Sequence, residues 1–393
     1  MSLKLNPAQL TAIDHAVRRR VSIVNGGAGT GKTTVIEKIA ASVNMPLLVC
    51  PTGKAAARLR EATGMPSSTI HSALKYNGED FMLKSLAGYS VIIDEASMVD
   101  SELMAAICQR RPDRLVLVGD EAQLMPVGNG APFHDLIRLR PELVTTLDTC
   151  YRNTEAIFKA AAAIRAGNIP ARVDTSAGEH WEMTRTGTPE ETQAAIIGKV
   201  MAGEIDFEAD IVLVCRNGER DMPAAGTVHG INQAAIAALG FDPGAGRWQP
   251  KQRIICGKNF PKLDTWNGTT GTITGVASNS VWVRGDIPFM VGEAADGDGS
   301  VTEIEWPAEV LRSCQHAYAL TVHKSQGSQY NRVYFAAFPQ DIHCLLSRSL
   351  IYTAVTRARK HCQSMGDPRA LAAGIAIQPE KKTVLQQIAG AAA

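Results

Sequence analysis

The sequence predicts an α/β protein with two parallel-sheet regions, the second interrupted by a smaller β-rich segment. Short, almost wholly apolar strand candidates alternate with helical segments in the first 150 residues; they lie at 21–24, 47–50, 91–93 and 115–118. Continuous apolar strands are typical of parallel sheets covered on both faces. A second such region begins at 211–214 and resumes after 317. Residues 247–310 instead contain short β-rich segments with glycine turns, which indicate a small barrel inserted into the second region.

The composition is that of an ordinary globular protein of two or three domains, with 393 residues of which 45% are hydrophobic and 20% charged. Lysine and arginine total 40 against 39 aspartate and glutamate, so a polyanionic partner would have to be held by a local groove. The eight cysteines include no CxxC pair, which favours reduced thiols over a zinc site or a disulfide framework. No signal-peptide core and no run of about 18 apolar residues occurs, so we expect a cytoplasmic protein without membrane contact.

A glycine-rich loop follows the first strand candidate and precedes a helix. Residues 26–33 read GGAGTGKT and match the pattern G-x-x-x-x-G-K-[ST]. The glycines allow backbone N–H groups to converge on phosphate oxygens, and the helix N-terminus favours negative charge. Lys32 is expected to reach the β- and γ-phosphates, and the hydroxyl of Thr33 to bind Mg²⁺. We therefore predict an ATP site formed by Gly26, Gly27, Ala28, Gly29, Thr30, Gly31, Lys32, Thr33 and Thr34.

Two further polar segments follow strand candidates of the same region. Asp94 is placed to hold Mg²⁺, and Glu95 to orient or deprotonate the attacking water; an acidic helix cap is the alternative interpretation. Gln123, after the strand candidate at 115–118, would sense the γ-phosphate or the water, unless it lies in a plain surface turn. Because the carboxyl ends of parallel strands meet at one edge of a sheet, these side chains should surround the phosphates.

These motifs, in this order, resemble those of superfamily 1 helicases, and the sequence DEAS at 94–97 resembles the 5′-to-3′ RecD/Dda-like branch. Other segments are similar to the remaining motifs of that family. They are NPAQ at 6–9 (the Q motif), CPTGKAA at 50–56 (Ia), STIH at 68–71 (Ib), CYR at 150–152 (IV), ALTVHKSQGSQ at 319–329 (V) and YTAVTRAR at 352–359 (VI). The resemblance spans residues 6–359.

The resemblance implies two RecA-like domains, one at 1–150 and one at 151–246 with 311–393, and an SH3-like domain 2B at 247–310. It implies that Gln9 reads the adenine edge and that Gly327 contacts the nucleotide. Arg152 and Arg357 would be arginine fingers, which can contribute about 10³ to 10⁵ in rate. A surface or structural salt bridge is the commoner role of an arginine.

The resemblance also implies that residues of motifs Ia, Ib and V contact the DNA backbone: Pro51, Thr52, Lys54, His71, Thr321, His323, Lys324 and Ser325. Phe81, in a short insertion, is a further candidate for DNA binding. Small hydroxyls and loop N–H groups bind phosphate and sugar without reading the base sequence. Helix caps and buried structural histidines are the alternative interpretations.

The insertion at about 74–87 contains an Asn-Gly turn signal and predicts a short β-hairpin. We hypothesise that Phe81 or Tyr76 forms a wedge that stacks on the last base pair of a fork. Alternatively, Phe81 anchors the hairpin on its domain. Trp266 and Trp282 are expected to be core residues of the β-rich segment; stacking on DNA is the alternative.

Three functions compete: a helicase or translocase, another P-loop enzyme such as a phosphotransferase, and a DNA-binding module with a vestigial ATPase. The phosphotransferase interpretation gives no role to Arg152 and Arg357. The intact P-loop and the acidic pair Asp94 and Glu95 argue against a vestigial ATPase. We therefore predict an ATP hydrolase, with Mg²⁺, that moves 5′-to-3′ on single-stranded DNA and separates strands; a translocase with little unwinding is the alternative.

The expected partners are single-stranded DNA and a duplex fork, with single-stranded-DNA-binding or replisome proteins as further candidates. We expect a monomer, in bacterial cytoplasm or a phage-infected host, that serves replication, recombination or repair. The chain begins near the Q motif, and this resembles a stand-alone motor of the phage Dda type.

Overall fold

The computed structural model describes residues 5–151, 155–176, 178–290, 300–342, 345–378 and 381. The chain divides into two compact units, Met1–Asn153 with Pro379–Ala393, and Thr154–Gln378. Within the described residues, no helix is both long and apolar enough to cross a membrane.

The first unit is built on a six-stranded sheet in the order β3-β2-β4-β5-β1-β6, with every neighbouring pair parallel. Its strands are β1 Val21–Gly26, β2 Pro46–Cys50, β3 Ser67–Thr69, β4 Ser90–Ile93, β5 Arg114–Gly119 and β6 Val144–Leu147. Its helices are α1 Pro7–Arg18, α2 Lys32–Ser42, α3 Gly53–Thr63, α4 Ile70–Ala73, α5 Ser101–Gln109 and α6 Pro132–Leu139.

Both faces of this sheet are covered, which explains the apolar strands in the sequence. Along β5, Val116 and Val118 pack into the core cluster on one face, whereas Leu115 and Leu117 pack into the cluster on the other. Side chains alternate between the faces of a strand, so a strand buried on both sides must be apolar at every position. Each fully buried aliphatic side chain contributes about 1.5–3 kcal/mol.

The second unit begins with α7 Glu155–Arg165, β7 Val173–Asp174, β8 His180–Arg185, α8 Pro189–Met201, β9 Ile211–Val214 and α9 Val228–Ala238. An antiparallel region follows, with β10 Arg253–Cys256, β11 Thr270–Val276, β12 Ser280–Met290, β13 Ser300–Pro307, α10 Ala308–Leu311 and β14 Cys314–His316. The unit then continues through β15 Ala319–Thr321, β16 Tyr330–Ala337, α11 Arg348–Val355, β17 Ala358–Gly366 and α12 Pro368–Ala376. Its main sheet has the order β15-β9-β16-β17-β8-β7 and is parallel except for the pair β7 and β8.

The antiparallel strands form one five-stranded sheet in the order β13-β12-β11-β10-β14, and it has its own core. The sheet extends to residue 316, beyond the predicted limit of 310, because β14 pairs with β10. Trp306 fills its core and is fully buried. The expectation for Trp282 is wrong, since this side chain lies on the outer face of β12 and is 43% exposed. Closure into an SH3-like barrel stays a prediction.

The insertion between α4 and β4 is smaller than a hairpin with regular strands. A single antiparallel bridge joins Tyr76 and Phe81. Asn77 closes the turn, because its Oδ1 accepts hydrogen bonds from the backbone N–H groups of Glu79 (2.9 Å) and Asp80 (2.8 Å).

Candidate active site

The strand order brings three predicted motifs to one edge of the first sheet. β5 lies between β4 and β1, with Ile93 opposite Leu117 and Asn25 opposite Gly119. The glycine-rich loop follows β1, the acidic pair follows β4, and the segment of Gln123 follows β5. The topology therefore places the predicted phosphate, metal and water-binding residues at the carboxyl ends of adjacent strands.

The glycine-rich loop has the conformation that its glycines permit. Gly29 and Gly31 adopt φ values of 81° and 83°, in the left-handed region that other residues avoid. The ammonium group of Lys32 donates hydrogen bonds to the carbonyl oxygens of Gly26 (2.7 Å) and Gly27 (3.0 Å). The lysine thus lies across the loop, and Thr33 is exposed on the first turn of α2. A phosphate at this helix N-terminus would compete with the two carbonyls for the lysine.

Gln9 is buried beside the loop at the start of α1, where it takes part in a capping box with Asn6. Its Oε1 accepts from the backbone N–H of Asn6 (3.0 Å), and its Nε2 donates to the carbonyl of Thr30 (3.2 Å). A Cβ atom on Gly31 would lie 2.5 Å from Nε2. The structure therefore gives Gln9 a role in positioning the loop, and its contact with adenine stays a prediction.

Asp94 and Glu95 follow β4 at the start of a short 3₁₀ turn. Burial and then the charge of Glu95 raise the pKa of Asp94 to about 7, while the backbone N–H of Glu95 and the charge of Lys32 oppose the shift. Glu95 has a φ of 53°, an uncommon conformation for a residue with a side chain. Among the described residues its Oε2 is buried without a hydrogen-bond partner. A buried carboxylate oxygen in this state is suited to accept a hydrogen bond from a water molecule.

Gln123 is buried at the end of β5. Its Nε2 donates to Oδ2 of Asp120 (3.3 Å), and its Oε1 is a second buried oxygen without a partner in the described part of the chain. Asn25, which the sequence interpretation missed, accepts a hydrogen bond from the N–H of Glu121 (3.1 Å) and so connects β1 to this segment. The signal for Asn25 was a polar residue at the end of an otherwise apolar strand.

Oxygen donors at this edge fit Mg²⁺, which prefers hard oxygen ligands and usually binds with one or two carboxylates and the phosphates of a nucleotide. Thr33 offers an exposed hydroxyl, and Asp94 offers a carboxylate. Burial and the charge of Glu95 raise the pKa of Asp94, whereas the charge of Lys32 opposes this shift, so a nearby cation favours the charged form of Asp94. The two residues predicted to hold the cation therefore have suitable chemistry.

The motifs predicted for the second unit surround a buried arginine. Arg357 is 3% exposed; its Nε donates to the carbonyl of Thr353 (3.1 Å) and its Nη1 to that of Ser328 (3.2 Å). Gly327 has a φ of 70°, which allows the turn within motif V that precedes β16. Arg152, the other predicted finger, lies outside the described residues.

The hydroxyl groups predicted to contact DNA serve local turns. Thr52 accepts a hydrogen bond from the N–H of Ala55 (3.2 Å), and Thr321 accepts one from Lys324 (3.3 Å). An accepting hydroxyl keeps its own proton, so the half-buried Thr52 can still donate to a phosphate, whereas Thr321 is buried. Ser325 is different, because it is fully buried and already donates to the carbonyl of Val322 (2.7 Å). Its side chain is a structural cap in this conformation.

The remaining predicted DNA contacts differ in exposure. His71 is exposed and Pro51 is half-buried, whereas Lys54 is buried. Burial lowers the pKa of His323, and burial followed by the charge of Arg220 lowers that of Lys324.

Phe81 is held against the first unit. Its ring packs on the core, the guanidinium of Arg110 lies 5.5 Å from the ring centroid, and Nη2 of Arg110 donates to its carbonyl (2.7 Å). Tyr76 lies 4.9 Å away, centroid to centroid, and is 43% exposed. These contacts support the anchoring role for Phe81 and leave Tyr76 as the better placed wedge candidate.

Comparison with known proteins agrees with this arrangement. A family model for the AAA domain matches residues 4–181, and one for the UvrD-like helicase C-terminal domain matches residues 316–363. The chain is 31% identical to the RecBCD enzyme subunit RecD of Mycolicibacterium smegmatis, over 96% of this chain and 74% of that protein. It is 30% identical to the ATP-dependent RecD2 DNA helicase of Deinococcus radiodurans, over 96% of this chain and 51% of that protein.

A crystal structure of the Pif1 helicase from Candida albicans superimposes with a TM-score of 0.58 at 16% identity, and the match covers 99% of each chain. At this identity the likeness shows a shared fold, in which the two parallel sheets are RecA-like. The chain therefore belongs to the RecD-like family of superfamily 1 helicases and is an ATP-hydrolysing DNA helicase.

Proposed function

We propose that this helicase binds ATP with Mg²⁺ at the edge of the first sheet and uses hydrolysis to move 5′-to-3′ along single-stranded DNA. The observation that carries the proposal is the convergence of Lys32, Glu95 and Gln123 at adjacent strand ends, with two buried oxygens that lack partners among the described residues. The direction is supported by the resemblance to the RecD/Dda-like branch.

In the proposed reaction, the loop N–H groups and Lys32 hold the phosphates, while Thr33 and Asp94 would hold Mg²⁺, which neutralises phosphate charge when bound. Glu95 accepts a proton from the attacking water through its buried Oε2, and Gln123 orients that water through its Oε1. By the resemblance, Arg357 is the proposed source of positive charge for the transferred phosphoryl group. In this structure its Nε and Nη1 donate to the carbonyl oxygens of Thr353 and Ser328.

The ATPase rate with and without an oligonucleotide tests the coupling of hydrolysis to DNA. Strong stimulation supports the motor, and a rate indifferent to DNA would rule it out. Glu95→Gln should lower kcat about 100-fold or more with nucleotide binding retained. Glu102→Gln, which neutralises an exposed carboxylate on α5, is the matched control and should leave kcat unchanged.

The direction of movement needs its own assay. Duplexes with a 5′ or a 3′ single-stranded tail separate the two possibilities, and unwinding confined to 3′ tails would refute the assignment.

A second candidate function is translocation with little unwinding. It is favoured by the small insertion at 74–87, in which a single antiparallel bridge joins Tyr76 and Phe81. Displacement of a protein block from single-stranded DNA, without separation of a tailed duplex, would establish this alternative.

A further inference from the structure

A cleft of about 490 Å³ lies within the second unit, outside the motifs described above. Its walls come from the segment before α9, from α9 itself, from the segment before β10 and from β14. The lining residues that matter here are Arg220, Asp221, His229, Asn232, Arg247 and His316. Its volume is within the range of about 300–1,000 Å³ that is usual for ligand sites.

The cleft concentrates positive charge in a chain that is almost neutral overall. Burial lowers the pKa values of Arg247, His229 and Lys324, and the charge of Arg220 lowers each of them further. Like-charge repulsion of this kind places Arg247 and Lys324 within electrostatic range of Arg220, and Arg220 and Arg247 both lie on the cleft wall. Asp221 is the carboxylate on the cleft wall. An anion bound here would relieve the repulsion.

A row of flat groups lies beside the arginines. The guanidinium of Arg247 lies 4.5 Å from the ring centroid of Trp248 and donates to the carbonyl of Cys314 (2.7 Å). The rings of Trp248 and His316 are 4.7 Å apart. Burial and the charge of Arg247 lower the pKa of His316 to about 4, so its ring is neutral at pH 7. Trp248 packs against the core of the antiparallel sheet, whereas His316 lines the cleft together with Arg247. A neutral ring beside a guanidinium suits a nucleobase, which can stack on both groups.

The cleft is joined to motif V by Asn232. Its Oδ1 accepts from the N–H groups of Tyr318 (2.9 Å) and Ala319 (2.8 Å), and its Nδ2 donates to the carbonyl of His316 (3.0 Å). These bonds fix α9 to the strand that leads into motif V. Lys324 of that motif is the cation that Arg220 influences. Asn232 therefore connects the wall of the cleft to the start of the segment predicted to contact DNA.

We propose that this cleft holds one nucleotide of single-stranded DNA, with Arg220 and Arg247 at its phosphate and the ring of His316 at its base. The inference rests on the proposed function, because it extends the DNA track beyond motif V. The combination of an anion site with a ring platform favours a nucleotide over an acidic peptide, which would need the charges alone.

Salt titration of oligonucleotide binding tests the phosphate contact. Each phosphate contact on a single strand contributes about 0.7 to the slope of log Kd against log salt. Arg220→Gln should reduce that slope by about 0.7, and the double variant with Arg247→Gln by about 1.4. At about 0.1 M salt each loss corresponds to roughly five-fold weaker binding. Fluorescence anisotropy of a labelled oligo(dT) measures both quantities.

Two matched variants separate the cleft from general charge. Asp221→Asn removes the carboxylate from the same wall and should tighten binding. Arg369→Gln removes an exposed arginine of α12, outside the cleft, and should leave the slope unchanged. A slope in Arg220→Gln equal to that of the wild type would overturn the proposal.

The base contact has a separate readout. His316→Ala should weaken oligo(dT) binding by about five-fold or more, with the salt slope unchanged because the ring is neutral. On an oligonucleotide of abasic sugar-phosphates the variant and the wild type should bind equally. A loss of the same size on both oligonucleotides would overturn the base contact.

Other occupants give different results. If inorganic phosphate or dTMP binds and this binding is lost in Arg220→Gln while oligo(dT) binding is unchanged, the cleft is a small-anion site. If polyglutamate binds with the same dependence and oligo(dT) does not, the partner is an acidic protein. Wild-type protein that neither binds oligo(dT) nor shows DNA-stimulated ATPase would refute the proposed function as well. If DNA still stimulates the ATPase of the wild type but the arginine variants keep the wild-type slope of log Kd against log salt, only the proposed role of the cleft is refuted.

Discussion

The pair Arg253–Asp286 in the antiparallel sheet offers a quantitative test of how the second unit is stabilised. Nη1 and Nη2 of Arg253 bind the two carboxylate oxygens of Asp286 at 2.7 and 2.6 Å. Arg253 is 5% exposed and the Asp286 side chain 29% exposed. Nη1 also donates to Thr272 (2.9 Å), and Asp286 accepts from Thr270 (2.6 Å). Replacing Asp286 by asparagine keeps the shape of the side chain and removes its charge.

Removing one partner of a buried ion pair costs about 3–5 kcal/mol, because the remaining charge stays buried without compensation. In a unit of about 225 residues, 1 kcal/mol shifts the melting temperature by about 2–4 °C. Asp286→Asn should therefore lower the Tm by at least about 6–12 °C. Asp174→Asn is the matched control, since its partner Arg172 lies at 2.9 Å on an exposed surface. We expect no resolvable change in that variant.

Thermal unfolding followed by tryptophan fluorescence reports on this region, because Trp306 lies in the core of the sheet. The double variant Arg253→Met/Asp286→Leu should recover most of the lost stability, since an apolar pair removes the uncompensated charge. A Tm loss in Asp286→Asn no larger than that of Asp174→Asn would show that the pair is effectively solvated, and would refute the reasoning.

Three further predictions concern single side chains. Gly31→Ala should weaken ADP binding by more than about ten-fold, because the positive φ costs about 1–2 kcal/mol and the new Cβ would clash with Gln9. Gly64→Ala is the control: it has a similar φ of 66° but open space around the new Cβ, and it should bind ADP normally. Phe81→Ala should lower the Tm, whereas Tyr76→Ala should leave the Tm unchanged and reduce unwinding of a fork relative to the ATPase rate. The pKa of His316 is lowered to about 4, so the free energy of unfolding should fall by about 3 kcal/mol as the pH decreases from 6.5 to about 4. His316→Gln should remove this pH dependence of the free energy of unfolding.

The local patterns of the sequence predicted the first unit well, for a physical reason. In a parallel sheet the active-site residues follow strands, so an apolar run followed by a polar motif predicts both the element and the place of its side chains. Lys32, Glu95 and Gln123 lie where this rule puts them. The backbone strain at Glu95 and the partnerless oxygens were not predictable, because they depend on packing from other elements.

The antiparallel sheet was harder to predict in detail. Which of two faces is buried depends on register, and register depends on partner strands. Val281 and Val283 of β12 face the core, so Trp282 between them faces outwards, and Trp306 on β13 fills the interior. The cleft could not be predicted from the sequence either, because Arg220 and His316 are far apart in the chain and match no motif.

The near-zero net charge is compatible with DNA binding because paired and clustered cations act differently. Arg253 and Arg216 each bind a carboxylate, at 2.6 and 2.7 Å, and such pairs add little to the field outside the protein. Arg220, by contrast, depresses the pKa values of Arg247 and Lys324, so their charges reinforce one another. A field of one sign confined to a cleft attracts a polyanion whatever the total charge. The charge of this chain should therefore be judged by its distribution, and a neutralising change in the cleft should weaken DNA binding far more than the same change elsewhere in the second unit.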